Sequence, residues 1–465
     1  MEPNKQYFSW KQIITVLFSL VLLPNVNSIL QAETAICNTE EEMAAFRKKT
    51  DEKKIARGKR DEKLKVNAMV RVRFEELKNF TIKKYNTGED DNFLLWRLRL
   101  CLDYKIEEHK HAFLQLQDNR YTGSKLTASD FPGSCPYENQ LDIRQGFYEQ
   151  TPEEKGDLGF RLGRQIISYG DQRVFAAGEW GNTGRYTWDA LKLTKHIGKY
   201  DIDIITGKMV TYEPESFDNE HSPDMVYAAY ASRGGKKTPE DFFYIYRSDN
   251  DALITGESGI GGIRRHTIGT HQGRTVKTHD FMGTAAFQFG DEGADNVRAY
   301  GYHLGFGETL RRKKKLRFGF DYSVASGDSS PTDGKNETFD SLYTGVGQYY
   351  GKMNLINWMN LEDIQFSVSC VPQKNWNLCL DFHRFNLNDE HDSWYNCGSK
   401  TVAHDPTGAS GDYIGKEIDF VVKYKANRNL NFAGGIAHFS PGSFSKSQGL
   451  DNSADWIFLQ TLWKF

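Results

Sequence analysis

The feature that most constrains this chain is a strict two-residue alternation, repeated almost from end to end. In "LLWRLRLCLDY", Leu94, Trp96, Leu98, Leu100 and Leu102 fall on one side, while Arg97, Arg99, Cys101 and Asp103 fall on the other. In "KLRFGFDYSV", Leu316, Phe318, Phe320 and Tyr322 oppose Arg317, Gly319, Asp321 and Ser323. "NWNLCLDFHRF" separates Trp376, Leu378, Leu380 and Phe382 from Asn377, Cys379, Asp381 and His383. "YIGKEIDFVVKYK" sets Ile414, Ile418, Phe420, Val422 and Tyr424 against Glu417, Asp419 and Lys423. Side chains alternate in this way only along a β-strand.

Such runs predict eighteen strands, the first near 65–77 and the last at 454–465, with no helical-period segment of comparable length. Their connections alternate. Short ones such as "KIEEH", "KHIGK" and "VPQ" follow the even-numbered strands. Long ones such as 119–139, 168–184, 325–354, 387–410 and 440–453 follow most odd-numbered strands, the connection near 290–295 being a brief exception. A soluble β-sandwich has no reason for that regularity. A transmembrane barrel with short periplasmic turns and long external loops does. The face chemistry agrees: aromatic residues sit toward the ends of the apolar faces, as interfacial girdles do, and the polar faces suit a water-filled lumen.

Composition supports the same class. Aromatics make up 13% of the 465 residues and glycine occurs 42 times, against only 38% hydrophobic residues overall, which suits strands joined by tight turns. A net charge of −3 gives no argument for nucleic acid. The apolar run "IITVLFSLVLLP" after Lys5 and Lys11 is too short to span a membrane comfortably and has the form of a secretory signal. The expected organisation is a signal peptide over 1–28, a charged periplasmic segment over 29–64 and an outer-membrane barrel over 65–465. Six cysteines lack C-x-x-C spacing, so zinc and thioredoxin chemistry find no support, although Cys135 and Cys397 lie in loop-like sequence open to disulfide formation. No G-x-S-x-G, H-E-x-x-H or P-loop pattern occurs, so neither an enzyme nor a cofactor is expected. "DWIFLQTLWKF" ends on Phe465, the terminal aromatic that outer-membrane barrels present to their assembly machinery.

"FRLGRQIISYGDQRVFAAGEWGNTGRYTWDALKL" (160–193) resembles a segment of the alginate export porin family: G-R-Q, then Y-G, an arginine-bearing loop and R-x-(F/W)-D before an apolar strand. "GGIAHFSPGSFSKSQGLDNSADWIFLQTLWKF" is similar to that family's C-terminal stretch. The resemblance implies a monomeric eighteen-stranded barrel whose electropositive constriction passes an anionic uronate polymer. The charged N-terminal block, the cysteines and several lumen acids depart from the family.

A polyanion pore needs fixed positive charge, and arginine supplies a planar fork that matches a carboxylate and never deprotonates. The candidates are Arg71, Arg73, Arg97, Arg99, Arg144, Arg161, Arg164, Arg173 and Arg185. Asp189 is the expected positioning acid, with Asp321 and Asp381 in similar roles. Arg161 shares its strand face with the lumen, whereas Arg164 has the opposite parity and needs a bulge near Gly163 to turn inward. "SYGDQRV" begins a loop able to fold back into the pore with Arg173. Arg311, Arg312 and the following lysines belong to a periplasmic turn. The partners implied are an anionic poly- or oligosaccharide and outer-membrane lipid and lipopolysaccharide. A general diffusion porin for small nutrients is the alternative.

Overall fold

The molecule is described here from a computed structural model over residues 63–465, apart from 155, 236, 311–313 and 346. The expected signal segment, nearly all of 29–64, Cys37 and part of the basic cluster at 311–315 lie outside the described residues.

Eighteen strands form the wall: β1 (Leu64–Lys78), β2 (Asp91–Glu107), β3 (Lys110–Thr122), β4 (Asn139–Gln150), β5 (Leu158–Gln165), β6 (Trp188–Ile197), β7 (Tyr200–Met209), β8 (Met225–Arg233), β9 (Glu240–Thr255), β10 (Ile260–Val276), β11 (His279–Glu292), β12 (Asp295–Thr309), β13 (Arg317–Ala325), β14 (Leu361–Cys370), β15 (Trp376–Asn386), β16 (Tyr413–Lys425), β17 (Leu430–Pro441) and β18 (Ala454–Lys464). Each pairs antiparallel with its sequence neighbour. β1 also pairs with β18 from Met69–Lys464 to Lys78–Asp455, so the sheet closes on itself and leaves no free edge. The Phe465 N–H donates to the Ala68 carbonyl at 2.8 Å, which seats the last residue in the closing seam. A two-residue piece, Lys335–Asn336, adds parallel to β12.

The alternation is inverted relative to a soluble protein. On β2, Leu98 is 48% exposed while Arg97 and Arg99 are 4% and 1% exposed. Leu162, Ile204, Phe287, Leu304 and Leu380 are likewise on the outside. Tyr104 and Trp376 are exposed near the short-turn end, and Tyr227 and Tyr300 near the long-loop end, where interfacial girdles belong. Ile414 departs from its expected outward position. A register shift at Phe385/Asn386 turns it inward, and it is 1% exposed.

The interior is not an empty tube. The 166–187 loop and the 326–360 loop both fold into the lumen and meet there. Ala176 N–H donates to Tyr343 O at 2.9 Å, Tyr343 N–H to Val174 O at 3.2 Å and Gly345 N–H to Gln172 O at 3.0 Å. The Phe175 ring stacks on Tyr343 at 5.4 Å, and Trp188 meets Tyr343 edge-on at 4.6 Å. Trp358 and Trp394 are fully buried, each giving its indole N–H to a backbone carbonyl: Val324 at 2.9 Å and Leu355 at 2.8 Å. These residues join one apolar cluster inside the barrel. Burial of each large ring contributes about 1.5–3 kcal/mol, so the loops are held by packing as well as by polar contacts.

The β4–β5 ladder stops at Gly146–Arg164. Above it the 210–224 loop replaces β5 along β4. Gln140 N–H donates to Pro214 O at 3.0 Å, Asn139 Nδ2 to Asp218 Oδ2 at 3.0 Å and Asp218 N–H to Asp142 Oδ2 at 2.7 Å.

Candidate functional site in the lumen

Four guanidiniums converge on the inner wall beside the infolded 166–187 loop. Arg71 comes from β1, Arg97 and Arg99 from β2, and all three owe their inward direction to strand parity. Arg144 on β4 does not. The β3–β4 register slips between Gln115–Gln145 and Leu116–Ile143, so Arg144 is a bulged extra residue, and the bulge turns it inward. Arg71 and Arg97 are directly opposed across the β1–β2 ladder, a costly placement for like charges unless something neutralises them.

The loop supplies the neutralisation. Glu179 places one carboxylate among three arginines: Oε2 lies 2.8 Å from Arg99 Nη1 and 3.1 Å from Arg97 Nη1, and Oε1 lies 3.3 Å from Arg144 Nη2. The Arg99 pair is bidentate, with a second bond of 3.2 Å from Nη2 to Oε1. Backbone carbonyls do the rest. Arg71 donates to Glu179 O at 3.1 Å and Gly181 O at 3.0 Å, and Arg144 donates to Ala177 O at 3.0 Å and Gly184 O at 2.9 Å. Gly184 has φ of +77°, and a Cβ there would lie 2.6 Å from Arg144 Nη2, so glycine is required for this approach. Burial by itself would push the Glu179 carboxyl up. Arg99, Arg97 and Arg144 outweigh it and hold the group well below the usual carboxylate range. Glu179 thus brings one carboxylate to a cluster of four arginines.

Arg73 sits apart from the quartet. Its Nε pairs with Glu75 at 2.7 Å, its Nη1 donates to Trp180 O at 2.7 Å, and its guanidinium lies 4.3 Å over the Trp180 ring. Arg161 also points into the barrel, toward the short-turn half. It pairs with Glu149 and lies 4.5 Å over Phe147. Arg173 is on the infolded loop, bound to Asp171 at 2.8 Å and to the Tyr350 hydroxyl at 2.7 Å. Arg185 faces a cavity above the loop and donates to Cys397 O at 2.7 Å.

Two candidates stand elsewhere than expected. No bulge occurs at Gly163: the register runs unbroken on both sides of β5 through Phe147–Gly163–Ala190. Arg164 therefore keeps the outward parity of Leu162, and so does Asp189, with which it pairs at 2.9 and 3.0 Å. The 210–224 loop covers this pair, with His221 Nε2 2.8 Å from Asp189 and Asp218 O accepting from Arg164 at 2.8 Å. Asp189 thus positions an arginine of the wall rather than one of the quartet. Asp321 meets His303 Nε2 at 2.8 Å, and Asp381 accepts from Cys379 Sγ at 3.4 Å. Cys135 and Cys397 are free thiols.

Glu179 and Asn182 escaped sequence reasoning. The Asn182 amide nitrogen lies 2.8–3.1 Å from the carbonyls of Trp96, Arg120 and Tyr137, and fastens the loop to the wall. The available signal was "GEWGNTG", an acid and an amide framed by glycines inside an otherwise arginine-rich motif.

Above the loop lies a vestibule of about 1350 Å³. Its lining holds nine acidic residues against seven lysines and arginines. Arg247 is matched by Asp224 at 3.0 Å and also meets Asp340, and Arg265 meets Glu292. Asp328 is pushed up to about 6 by burial and by the neighbouring Glu257, Asp392 and Glu337 carboxylates. The mouth is therefore mixed in sign, and the concentrated positive charge is at the infolded loop. Among the described residues no group of three or more His, Cys, Asp or Glu side chains is arranged to hold a metal.

A closed eighteen-stranded barrel with an apolar exterior, a polar interior and a charged constriction is an outer-membrane channel. The chain belongs to the alginate export family, whose model matches residues 62–457. Its fold is similar to that of OccAB2 of Acinetobacter baumannii, with a TM-score of 0.59 at 13% identity, covering 86% of this chain and 98% of that one. A BenF-like porin from Pseudomonas fluorescens Pf-5 gives a TM-score of 0.57 at 11% identity over 86% and 98% of the two chains. Pseudomonas aeruginosa OccK11 (OpdR) gives 0.53 at 11% identity over 86% and 96%. Among curated proteins no sequence matches significantly.

Proposed function

We propose that this channel passes an anionic polysaccharide or oligosaccharide, a uronate of the alginate type, through the arginine site. The observation that carries the reading is the convergence of Arg97, Arg99 and Arg144 on the Glu179 carboxylate in the lumen, with Arg71 beside them on the Glu179 backbone carbonyl. A sugar carboxylate reaching that position exchanges water for charge-assisted bonds, and the low-dielectric wall strengthens the field it meets. In the same reading residues 1–28 are removed on export and 29–64 stay in the periplasm. The chain works as a monomer in lipid and lipopolysaccharide, Phe465 is read by the assembly machinery, and no reaction is catalysed. The mixed-sign vestibule favours one second reading, a general diffusion porin for small nutrients. Planar-bilayer recordings with oligouronates separate the two: anion-selective current blocked by the oligomer is expected, and ohmic, cation-selective current without block would overturn the polyanion reading.

A further inference from the structure

We infer that Glu179 is a tethered competitor for the substrate: it occupies the arginine site when the channel is empty and gives it up to a passing polyuronate, but not to a single uronate. The inference rests on the polyanion reading above and adds how the site releases what it binds.

Glu179 carries the same functional group as a uronate, and it already makes the contacts a uronate would make: bidentate to Arg99, with Arg97 and Arg144 beside it. The carboxylate is free to leave without the loop. The backbone is fixed independently after Glu179, by Asn182 to the wall carbonyls, by Thr183 Oγ1 to Cys135 O at 3.0 Å and by Gln117 Nε2 to Thr183 O at 2.7 Å, and before it by Ala176 N–H to Tyr343 O at 2.9 Å. The Glu179 side chain is 26% exposed, while those of Arg97, Arg99 and Arg144 are 4%, 1% and 1% exposed. Approach to the arginines therefore runs through the glutamate. Its neighbours Gly178 and Trp180 line the vestibule and Glu179 does not. Its carboxylate reaches Arg99, one pleat nearer the short-turn end than Arg97.

An empty cluster of four guanidiniums would repel itself, and an uncontested one would hold a polyanion too long to conduct. A tethered rival solves both problems. Its effective concentration is on the order of millimolar or more, as for any group on a short linker. A monouronate has to exceed that concentration to displace it. A polymer presents many linked carboxylates and meets the threshold locally, so the site distinguishes chains from monomers without a separate recognition surface.

The test is single-channel recording in planar bilayers with a uronate tetramer and a monouronate, on wild type, Glu179→Gln and Glu179→Ala. Glu179→Gln is expected to lengthen the tetramer's blocking dwell about tenfold, the scale of one charge-assisted contact expressed in the off-rate, and to make block by the monouronate visible. In Glu179→Ala, added propionate is expected to fill the vacated position and shorten the tetramer dwell again. Wild type blocked by the tetramer with an unchanged or shorter dwell in Glu179→Gln would overturn the exchange and leave the polyanion reading standing. A lengthened dwell that propionate leaves untouched would also overturn it, because displacement of the loop would then be the cause. Absence of tetramer block in every conducting channel would remove both the polyanion reading and the exchange.

Discussion

Gly163 is a point of close approach between β5 and β4. Its φ is +125°, and a Cβ would lie 2.4 Å from the Gly146 carbonyl oxygen. Gly163→Ala is therefore expected to cost about 1–3 kcal/mol, through backbone strain that no side-chain rotation relieves. A lowered midpoint in urea, read by the heat-dependent gel shift of the barrel, checks this. Asp218 gives the 210–224 loop a dependence on pH. Burial, followed by the Asp142 carboxylate, pushes its acid up to about 7. The folded group thus binds its proton more tightly than the unfolded one. Its contribution is complete at low pH and is lost as pH rises through about 7. Amides of the 210–224 loop should exchange faster, after correction for intrinsic rates, on going from about pH 5 to about pH 8. Asp218→Asn should abolish that difference. Strand parity alone made Arg71, Arg97, Arg99 and Arg161 legible as inward residues. Glu179 was not legible, because its partner Arg99 lies 80 positions away and nothing local marks the contact.

Strands were more legible than loops, for a physical reason. A wall strand must expose apolar side chains to lipid on every second residue, so its sequence carries a periodic signal along its whole length. The infolded loops satisfy no period. Tyr343 meets Phe175 and Trp188 through a fold that joins two connections distant in sequence, and only the three-dimensional path reveals it. The loops' lengths were readable, and so was the tendency of "SYGDQRV" to enter the pore, but the mutual packing was not. Tyr343→Ala should remove the ring on which both neighbours rest, at about 3–5 kcal/mol of local packing. The expected result is a larger and noisier open-channel conductance, with the 326–360 loop cut sooner by protease. Unchanged conductance and cleavage would show that the loops are held by their backbone bonds alone.

At the scale of the whole molecule, closure through β1 and β18 makes the C-terminus part of the wall. Removing Phe465 deletes the donor to Ala68 and the ring that packs on Trp463 at 4.7 Å. The expected outcome is a lower yield of heat-modifiable barrel in the outer membrane with an unaltered conductance in the molecules that do assemble. Charge acts at this scale too. The net charge of −3 says nothing about selectivity, because the vestibule is mixed in sign and the arginine quartet is buried at the infolded loop. Anion preference should consequently survive moderate salt better than a surface-charge effect would, and Arg99→Ala should lower the anion-to-cation permeability ratio more than Arg185→Ala. Reversal potentials across a potassium chloride gradient measure both.

The bulge at Arg144 has a further consequence. The three other guanidiniums of the quartet occupy ladder positions that any residue could fill, so only substitution can remove them. Arg144 is surplus to the ladder. Deleting that single codon removes this bulge from β4 while keeping every neighbour on its present side of the wall. A one-residue deletion can thus remove pore charge from this wall while leaving its membrane-facing surface unchanged.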